Sequence, residues 1–410
     1  MEGSRNGPMK DWQSIPVRMV ATTPTGDVPI GARTGRHELP GGSGAGAPLT
    51  YGPYVDSVRR FLLRRSGVNL LTALNAHLGR SVALKEIEKI DIRSEKHGAF
   101  YHVARVDVQL PGTAVSLAVN VATSELARIT LTREYRVLRR LARRLPSSHL
   151  PRVYCQGTIH HGGGRGEPLE LRLVVGEWFR DYHEFHLHRP EGEGRAHLLL
   201  WDSTTGYRAL NDIQTSSLYR QAARILTEYY DWNSFRQVYP WHHGAGDFVA
   251  RIEGDEVRLR LITVRDYAPV VGYRTRKMAG KMLALLLFFL HLTLQMRLDR
   301  IDGVGELVWA EGTILEDATR GFLEAVSGKG GVPSPPALHE ILCSFSEDEW
   351  RQLLTEVLEV YTFSPEELGL IHRHGQMHIQ QLPQTLRSLR RCGLEVARKK
   401  GWTTGKKSEK

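Results

Sequence analysis

The sequence predicts an α+β protein made of two parts, a sheet-rich amino-terminal half and a mainly helical carboxy-terminal half. Short runs that alternate apolar and polar residues, the pattern of half-buried strands, concentrate between residues 85 and 179. Long amphipathic or wholly apolar runs, typical of helices, follow from residue 216 onward. With 410 residues, 41% of them hydrophobic and 24% charged, the chain is long enough to bury a core in each half.

The first fifty residues have the weakest pattern in the sequence. They contain nine glycines and six prolines and show no apolar periodicity. Segments of this composition bury too little apolar surface to offset the entropy lost on folding. We therefore expect residues 1–50 to be a disordered arm. The cationic and then apolar pattern of a secretory leader is also missing from them.

Residues 51–179 are predicted to form an antiparallel sheet of five strands with one helix. The clearest strand signal is the run from Val115 to Val121, in which every second side chain is large and apolar. Those side chains should face a core, and the residues between them should lie on the opposite face of the sheet. The predicted strands cover residues 85–92, 101–110, 115–121, 150–159 and 169–178.

One amphipathic helix interrupts these strands, from about Ser124 to Leu145. Ser124 is a suitable N-cap, and Pro146 ends the pattern. Glu134 falls on the same stripe as three leucines, at spacings of three and four residues, whereas the arginines mostly point elsewhere. Acids are seldom buried without a partner. Glu134 is therefore a candidate functional residue.

The carboxy-terminal half is predicted to be mainly helical. An amphipathic helix covers residues 216–230, and a nearly all-apolar helix covers residues 278–298. The apolar stretch between Lys281 and Arg297 is fifteen residues long, whereas a helix needs about 20 to cross a bilayer. We therefore expect this helix to be the buried centre of a lobe and predict no membrane span.

The end of the chain is predicted to carry a separate set of helices. A Gly/Pro/Ser linker at residues 327–336 leads to a small helical appendage at residues 337–395. A basic tail, residues 396–410, follows it.

Two aspartates, Asp247 and Asp266, stand nineteen positions apart on either side of a predicted hairpin. Alternating residues on both sides of the turn Glu253-Gly254-Asp255 indicate its two strands. A hairpin brings its ends together, so the two carboxylates can converge on one hard cation, which prefers oxygen ligands. The alternative is a surface hairpin in which both aspartates are ordinary turn or strand-end residues.

This segment resembles the catalytic and metal segments of the protein-kinase-like superfamily, most closely the aminoglycoside and choline kinase branch. Asp247 matches the first metal ligand, and Asp266-Tyr267-Ala268 matches the second metal triplet. The resemblance implies a bilobal kinase-like fold with ATP and magnesium as cofactors. Its lobes would be residues 51–179 and 180–326, with the metal hairpin at 239–267.

The resemblance also implies nucleotide-binding residues in the amino-terminal lobe. Leu117-Ala118-Val119-Asn120 lies on the Val-Ala-Ile-Lys pattern, so Ala118 would lie beside adenine, and Asn120 replaces the phosphate-binding lysine. Glu134 matches the acid that normally pairs with that lysine. Glu177, Trp178 and Phe179 fall where a hinge between the lobes would hold adenine.

The chain departs from the kinase pattern at the base as well as at the lysine. His242, and not an aspartate, stands five positions before Asp247, with His243 beside it. Imidazole can serve as a base near neutral pH, so both histidines are candidate catalytic residues. Two hypotheses follow. The protein is a divergent phosphotransferase that acts on a small molecule, or it is a pseudokinase that serves as a binding or scaffold module.

Charge and cysteine usage bear on partners and compartment. The net charge of +10 makes nucleic acid a weaker alternative partner, since no recognised nucleic-acid-binding module accompanies it. The three cysteines form no metal spacing and cannot all pair, which fits a reducing cytoplasm. A nucleotide, with a small-molecule or protein substrate, remains the main expected partner.

Two histidine clusters are weaker candidates for zinc. His186 and His188 should share one face of a strand, and His374 and His378 are one helical turn apart. Neither cluster has the three or four ligands of a zinc site within its own segment, so exposed polar side chains are the alternative.

Overall fold

The structure is a computed structural model, and it describes residues 12–23, 26–40, 49–98, 100–144, 149–161, 169–190, 196–202, 205–272, 277–327 and 329–399. It divides between Asp181 and Tyr182 into two compact units, the N-terminal unit and the C-terminal unit. The division lies two residues after the predicted end of the first lobe. The predicted α+β class is confirmed, with an antiparallel sheet in the first unit and mostly helices in the second.

The described part of the N-terminal unit contains seven strands and two long helices, and strands precede and follow each helix along the chain. Its elements are β1 Val17–Thr23, β2 Gly26–Pro29, α1 Tyr51–Leu78, β3 Lys89–His97, β4 His102–Leu110, β5 Thr113–Ala122, α2 Glu125–Arg144, β6 Val153–His161 and β7 Leu169–Glu177.

Within the described residues, its sheet has seven strands in the order β2-β1-β3-β4-β5-β7-β6. The five predicted strands form the contiguous antiparallel block from β3 to β6. The two further strands come from the segment predicted to be disordered. β1 pairs in parallel with β3 and buries Val20 and Ala21, so the hydrogen-bonding edge of β3 is covered. The Gly/Pro-rich composition of this segment gave no strand pattern for β1, which is stabilised by its pairing with β3.

Two helices cover opposite faces of this sheet, where the sequence predicted one. α1 packs on the face that carries Leu117 and Val119, and its Tyr54 and Phe61 are fully buried there. α2 packs on the other face, against Ala122. The second helix is required because the alternating strands leave apolar side chains on both faces. α1 is also interrupted by non-helical backbone at residues 64–67, which weakens its periodic signal.

α2 matches the predicted helix. Ser124 Oγ accepts a hydrogen bond from the Ala127 backbone N–H at 3.3 Å, which confirms the predicted cap. Glu134 is buried, with 3% of its surface exposed, as its place on the apolar stripe indicates.

The C-terminal unit contains six helices in its described part, with several small sheets. Its elements are β8 Glu184–His188, β9 His197–Asp202, β10 Gly206–Ala209, α3 Asp212–Glu228, β11 Arg236–Val238, β12 Phe248–Glu253, β13 Glu256–Leu261, β14 Tyr267–Pro269, α4 Met278–Gln295, β15 Leu298–Arg300, β16 Leu307–Trp309, α5 Ile314–Val326, α6 Pro335–Ser344, α7 Glu347–Val360 and α8 Pro365–Lys399.

α4 is the central helix of this unit. By length and composition it could cross a membrane, but most of it is buried by its neighbours, and Leu287, Phe289 and Leu290 are inaccessible to solvent. The helices predicted as an appendage pack into the same unit. Trp350 of α7 is fully buried, with its ring centroid 6.0 Å from that of Phe289. The apolar faces of these helices therefore belong to the core around α4. The last residues of the predicted basic tail, 400–410, lie outside the described residues.

Candidate functional site

The candidate site is built around the hairpin β12–β13. The two strands pair from Phe248 with Leu261 to Glu253 with Glu256, which confirms the predicted hairpin. The segments on either side of it are held together by a second pairing, β11 with β14. The Tyr239 backbone N–H donates to the Asp266 carbonyl at 3.4 Å. The loop 239–247 before the hairpin therefore lies beside the segment 262–266 after it.

Asp247 is buried at the end of that loop, with 1% of its surface exposed. Its carboxylate is held by Arg265: Nη1 donates to Oδ2 at 2.6 Å and Nη2 donates to Oδ1 at 2.7 Å. The His242 backbone N–H donates to Oδ2 as well, at 2.8 Å. A bidentate guanidinium pair in a buried place is among the stronger polar contacts in proteins. Arg265 thus neutralises Asp247 and ties the two flanking segments together.

This pairing bears directly on the predicted magnesium site. Magnesium takes oxygen ligands at close range in a near-octahedral arrangement. Both carboxylate oxygens of Asp247 already accept from a cation, and a guanidinium offers no lone pair to a metal. As arranged, Asp247 does not fit the role of a metal ligand. Arg265 directly precedes Asp266 in the sequence, but that position does not by itself indicate a pairing with Asp247.

Asp266 is half-buried and makes a different set of contacts. Its Oδ1 accepts from the Tyr267 backbone N–H at 2.7 Å, while its carbonyl receives Tyr239. The carboxylate therefore supports the start of β14. The loop of Asp247 and the segment of Asp266 lie side by side, as the sequence predicted. The cation that contacts Asp247 is the side chain of Arg265.

His242 is linked through its side chain to α4 and α8. Gln295 Nε2 lies 3.4 Å from His242 Nδ1 and 3.3 Å from Glu367 Oε1. A carboxylate only accepts, so the Gln295 atom facing Glu367 must be the amide nitrogen, and Nδ1 of His242 must accept. Burial lowers the pKa of His242, against the opposing effect of Asp247 and Glu367. With Nδ1 accepting from Gln295, a neutral His242 ring carries its proton on Nε2 and acts as a hydrogen-bond donor at that atom.

His243 points into the protein interior. Its side chain is fully buried, its Nε2 lies 3.5 Å from Asp299 Oδ2, and its ring meets Tyr219 edge-on at 5.2 Å. Asp299 also lies against Gly244, where any Cβ would overlap the carboxylate. A side chain enclosed in this way cannot reach a substrate without local opening. Its position indicates that His243 and Asp299 anchor the loop 242–247 to β15, a role that the sequence gave no signal for.

The predicted nucleotide-binding residues of β5 lie in the N-terminal unit. Ala118 pairs with Arg105 of β4 and with Gly176 of β7, and Asn120 lies two positions along on the same face. This face also carries Ala122, which packs against α2. Val174 of β7 stands opposite Asn120. Val103 of β4 also stands opposite Asn120, and two arginines flank it on the same face, because Arg105 pairs with Ala118 and Arg172 pairs with Ala122.

The predicted hinge residues begin at Glu177, the last residue of β7. Glu177 makes a bidentate pair with Arg152, through Nε at 3.2 Å and Nη2 at 3.3 Å. The guanidinium carbon of Arg105 lies 5.7 Å from the centre of the Trp178 ring, close enough for a cation–π contact. Phe179 is half-buried beside it. Trp178 and Ala118 therefore share Arg105 as a neighbour.

The two histidine clusters are structural or surface groups. His188 Nδ1 lies 2.8 Å and His186 Nε2 lies 3.8 Å from the same oxygen of Asp302, so the predicted common strand face is confirmed. His374 stacks on Trp309, whereas His378 is buried with its Nε2 3.1 Å from Thr293 Oγ1. Among the residues that the structure describes, no three His, Cys, Asp or Glu are arranged to hold a metal ion.

Comparison with known proteins leaves the chain without an assigned family. No protein-family model and no curated protein matches it. Among solved structures, the crystal structure of the ADP-bound aminoglycoside phosphotransferase APH(2'')-Ib is similar to this chain. The alignment covers 76% of this chain and 95% of the phosphotransferase chain. The identity is 10% and the TM-score is 0.26. A similarity at this level does not decide the function of the chain.

Proposed function

We propose that this protein is a kinase-like binding module that does not use Asp247 to hold magnesium. The observation that carries the proposal is the buried bidentate pair between Asp247 and Arg265. Phosphoryl transfer depends on positioned charge, and magnesium supplies much of that charge. A carboxylate whose charge is already neutralised by a guanidinium attracts a further cation only weakly.

Two other features support a binding role over catalysis. Asn120 supplies no positive charge at the position of the phosphate-binding lysine. His242, at the position of the catalytic base, directs its Nδ1 lone pair at the Gln295 amide, so its Nε2 can only donate. A neutral donor can hold a phosphate or carbonyl oxygen, but it does not remove a proton from an acceptor hydroxyl.

The ligand that the resemblance favours is a nucleotide, and we propose that this protein binds it without metal. Its base would lie near Ala118 and the hinge residues Glu177 to Phe179. Arg105, which lies near Trp178, stands on that face of the sheet, and its guanidinium is paired with the Asp107 carboxylate. Protein and small-molecule ligands of the C-terminal unit are further candidates for a module of this kind.

The second candidate is a divergent ATP- and magnesium-dependent phosphotransferase. It is favoured by one observation, that both aspartates still bracket the hairpin on neighbouring segments. In that case Arg265 would have to leave Asp247 when substrate binds. The two candidates therefore differ in whether magnesium changes nucleotide affinity.

Titration calorimetry of the whole protein with ATP, with and without magnesium, tests the choice. For the binding module we expect the same affinity within about twofold in both conditions, because Arg265 occupies the Asp247 carboxylate that would hold the metal. The Asp266→Asn variant should then bind ATP as the wild type does. Asp255→Asn, a carboxylate at the turn of the same hairpin, is the matched control.

The opposite result has a clear meaning. If ATP binds only with magnesium, and Asp266→Asn but not Asp255→Asn removes that binding, the metal-free binding module is wrong and the second candidate takes its place. Absence of ATP binding in every condition would remove the nucleotide from the proposal and leave a module for other partners.

A further inference from the structure

The outer face of α2 carries a continuous stripe of arginines. Five of them have exposed side chains, and their positions fall within an arc of about 140° at 3.6 residues per turn. They extend over about 16 Å at 1.5 Å per residue. These residues, which we name the α2 arginine stripe, are Arg133, Arg136, Arg139, Arg143 and Arg144.

Little negative charge faces this stripe on its own helix. One of the two acids of α2, Glu134, is buried on the opposite side. The other, Glu125, lies in the first turn, about 12 Å before Arg133. Among the described residues, Arg136, Arg143 and Arg144 have no ion-pair partner within reach. These three arginines of the stripe therefore present uncompensated charge to the solvent.

The helix is also fixed in place. Its other face is buried against the sheet through Ala127, Leu131 and Tyr135, with Leu138 and Leu141 along the same side. The first four arginines of the stripe are three or four residues apart, about 4.5 to 6 Å along the axis, and Arg144 directly follows Arg143. Because the helix backbone is fixed, only the side chains lose freedom when the stripe meets a row of anions.

We propose that the α2 arginine stripe binds the phosphate backbone of nucleic acid, without reading its sequence. Duplex DNA carries one negative charge about every 1.7 Å of its axis, so a stripe of about 16 Å meets roughly ten phosphate charges. Guanidinium groups match phosphate oxygens in a bidentate manner.

A nucleic acid fits this surface better than a membrane does. Amphipathic helices that bind bilayers insert an apolar face beside their basic one. The apolar face of α2 is already buried against the sheet, and beyond Ile129 the exposed residues of the helix are arginines and Ala142. Leu126 and Ile129, 65% and 52% exposed, are confined to its first two turns.

Fluorescence anisotropy with a labelled 25-base-pair DNA duplex tests the proposal on the full chain. With five phosphate contacts, the slope of log K against log salt should be about −4.5, a roughly 500-fold loss of affinity between 50 and 200 mM salt. Replacing Arg136, Arg143 and Arg144 together by Gln should reduce the magnitude of that slope by about 2.7.

The matched control replaces three exposed arginines elsewhere, Arg33, Arg36 and Arg208, by Gln. It removes the same charge and should leave the slope nearly unchanged. Circular dichroism should report equal helix content in both variants. Equal slopes for the two triple variants would overturn the proposal and move the binding to another basic segment, such as the tail. Tighter binding to phosphatidylserine vesicles than to the duplex would overturn it in favour of a membrane.

Discussion

At the scale of single residues, the decisive contact is the one between Asp247 and Arg265. The spacing of Asp247 and Asp266 correctly predicted two carboxylate-bearing segments around a hairpin. It could not reveal which cation meets Asp247, because Arg265 reaches back across the hairpin from the other flank. Side-chain direction at the end of a strand depends on how the following segment turns, and that turn is set by the pairing of β14 with β11.

We predict that removing Arg265 alone is costly. Arg265→Ala should destabilise the protein by about 3 kcal/mol, because it leaves the buried Asp247 carboxylate without its counter-charge. The double variant Asp247→Asn, Arg265→Ala should recover part of that loss, since no unpaired charge is then buried. Urea denaturation followed by tryptophan fluorescence measures both.

Arg258→Ala provides the comparison for this pair. Arg258 also contacts a carboxylate of the hairpin, that of Glu256, but both groups are exposed. Its removal should not shift the urea midpoint measurably, because solvent screens such pairs. A shift for Arg265→Ala no larger than the shift for Arg258→Ala would mean that the buried pair does not hold the two segments together.

At the scale of elements, the sequence predicted which face of a helix is buried. It did not predict how closely two helices pack. The stripe that buries Glu134 in α2 was readable from spacing alone. The contact between α3 and α5 depends on Gly321, where a Cβ would overlap the backbone carbonyl oxygen of Arg220. A glycine inside a helix gives no signal of its partner, since the partner lies about a hundred residues away.

Gly321→Ala is therefore expected to destabilise the protein, although alanine favours helices. We expect a loss of about 2 kcal/mol, the usual cost of forcing extra volume into a packed interface. Gly369→Ala in α8, where nothing lies within 4 Å of the new Cβ, should instead stabilise by about 0.5 kcal/mol. Thermal or urea unfolding of the two variants distinguishes them. The same sign for both would show that α3 and α5 are not in close contact at Gly321.

At the scale of the whole molecule, both units bury histidines in their neutral form. Burial lowers the pKa of His97 to about 4 and of His291 to about 3, and it also lowers those of His102, His242 and His378. His291 stacks on Tyr361 at 3.7 Å inside the core around α4. These rings help to fill the core as long as they remain uncharged.

The molecule should accordingly lose stability in mild acid. In the unfolded chain these histidines take up protons near pH 6.5, whereas in the folded chain they resist them, so the free energy of unfolding falls as pH drops below about 6.5. For His291 the loss continues down to its folded pKa of about 3. Its share is about 1.4 kcal/mol per pH unit over that range.

His291→Phe tests that share, since phenylalanine fills a similar volume and cannot titrate. Urea midpoints measured from pH 7.5 to pH 4.5 should fall less steeply in this variant than in the wild type. His37→Gln, at an exposed position, should follow the wild type. Parallel curves for wild type and His291→Phe would contradict the prediction.

By itself, the sequence determined the α+β class, the five central strands, the helix α2 with its inward Glu134, the hairpin and the apolar helix α4. All of these depend on the period of apolar residues within one segment, which local backbone geometry translates directly into a buried face. The strands β1 and β2 and the helix α1 were missed, because a Gly/Pro-rich composition and an interrupted helix weaken that period.

Only the tertiary structure decided the chemistry of the candidate site. The pairing of Asp247 with Arg265, the link from Glu367 through Gln295 to His242, and the burial of His243 beside Asp299 join residues that are 18, 72, 53 and 56 positions apart. No periodic pattern encodes such contacts. They arise from the way β11, β14 and α4 bring distant side chains together, and they place a guanidinium on the carboxylate that the sequence predicted as a metal ligand.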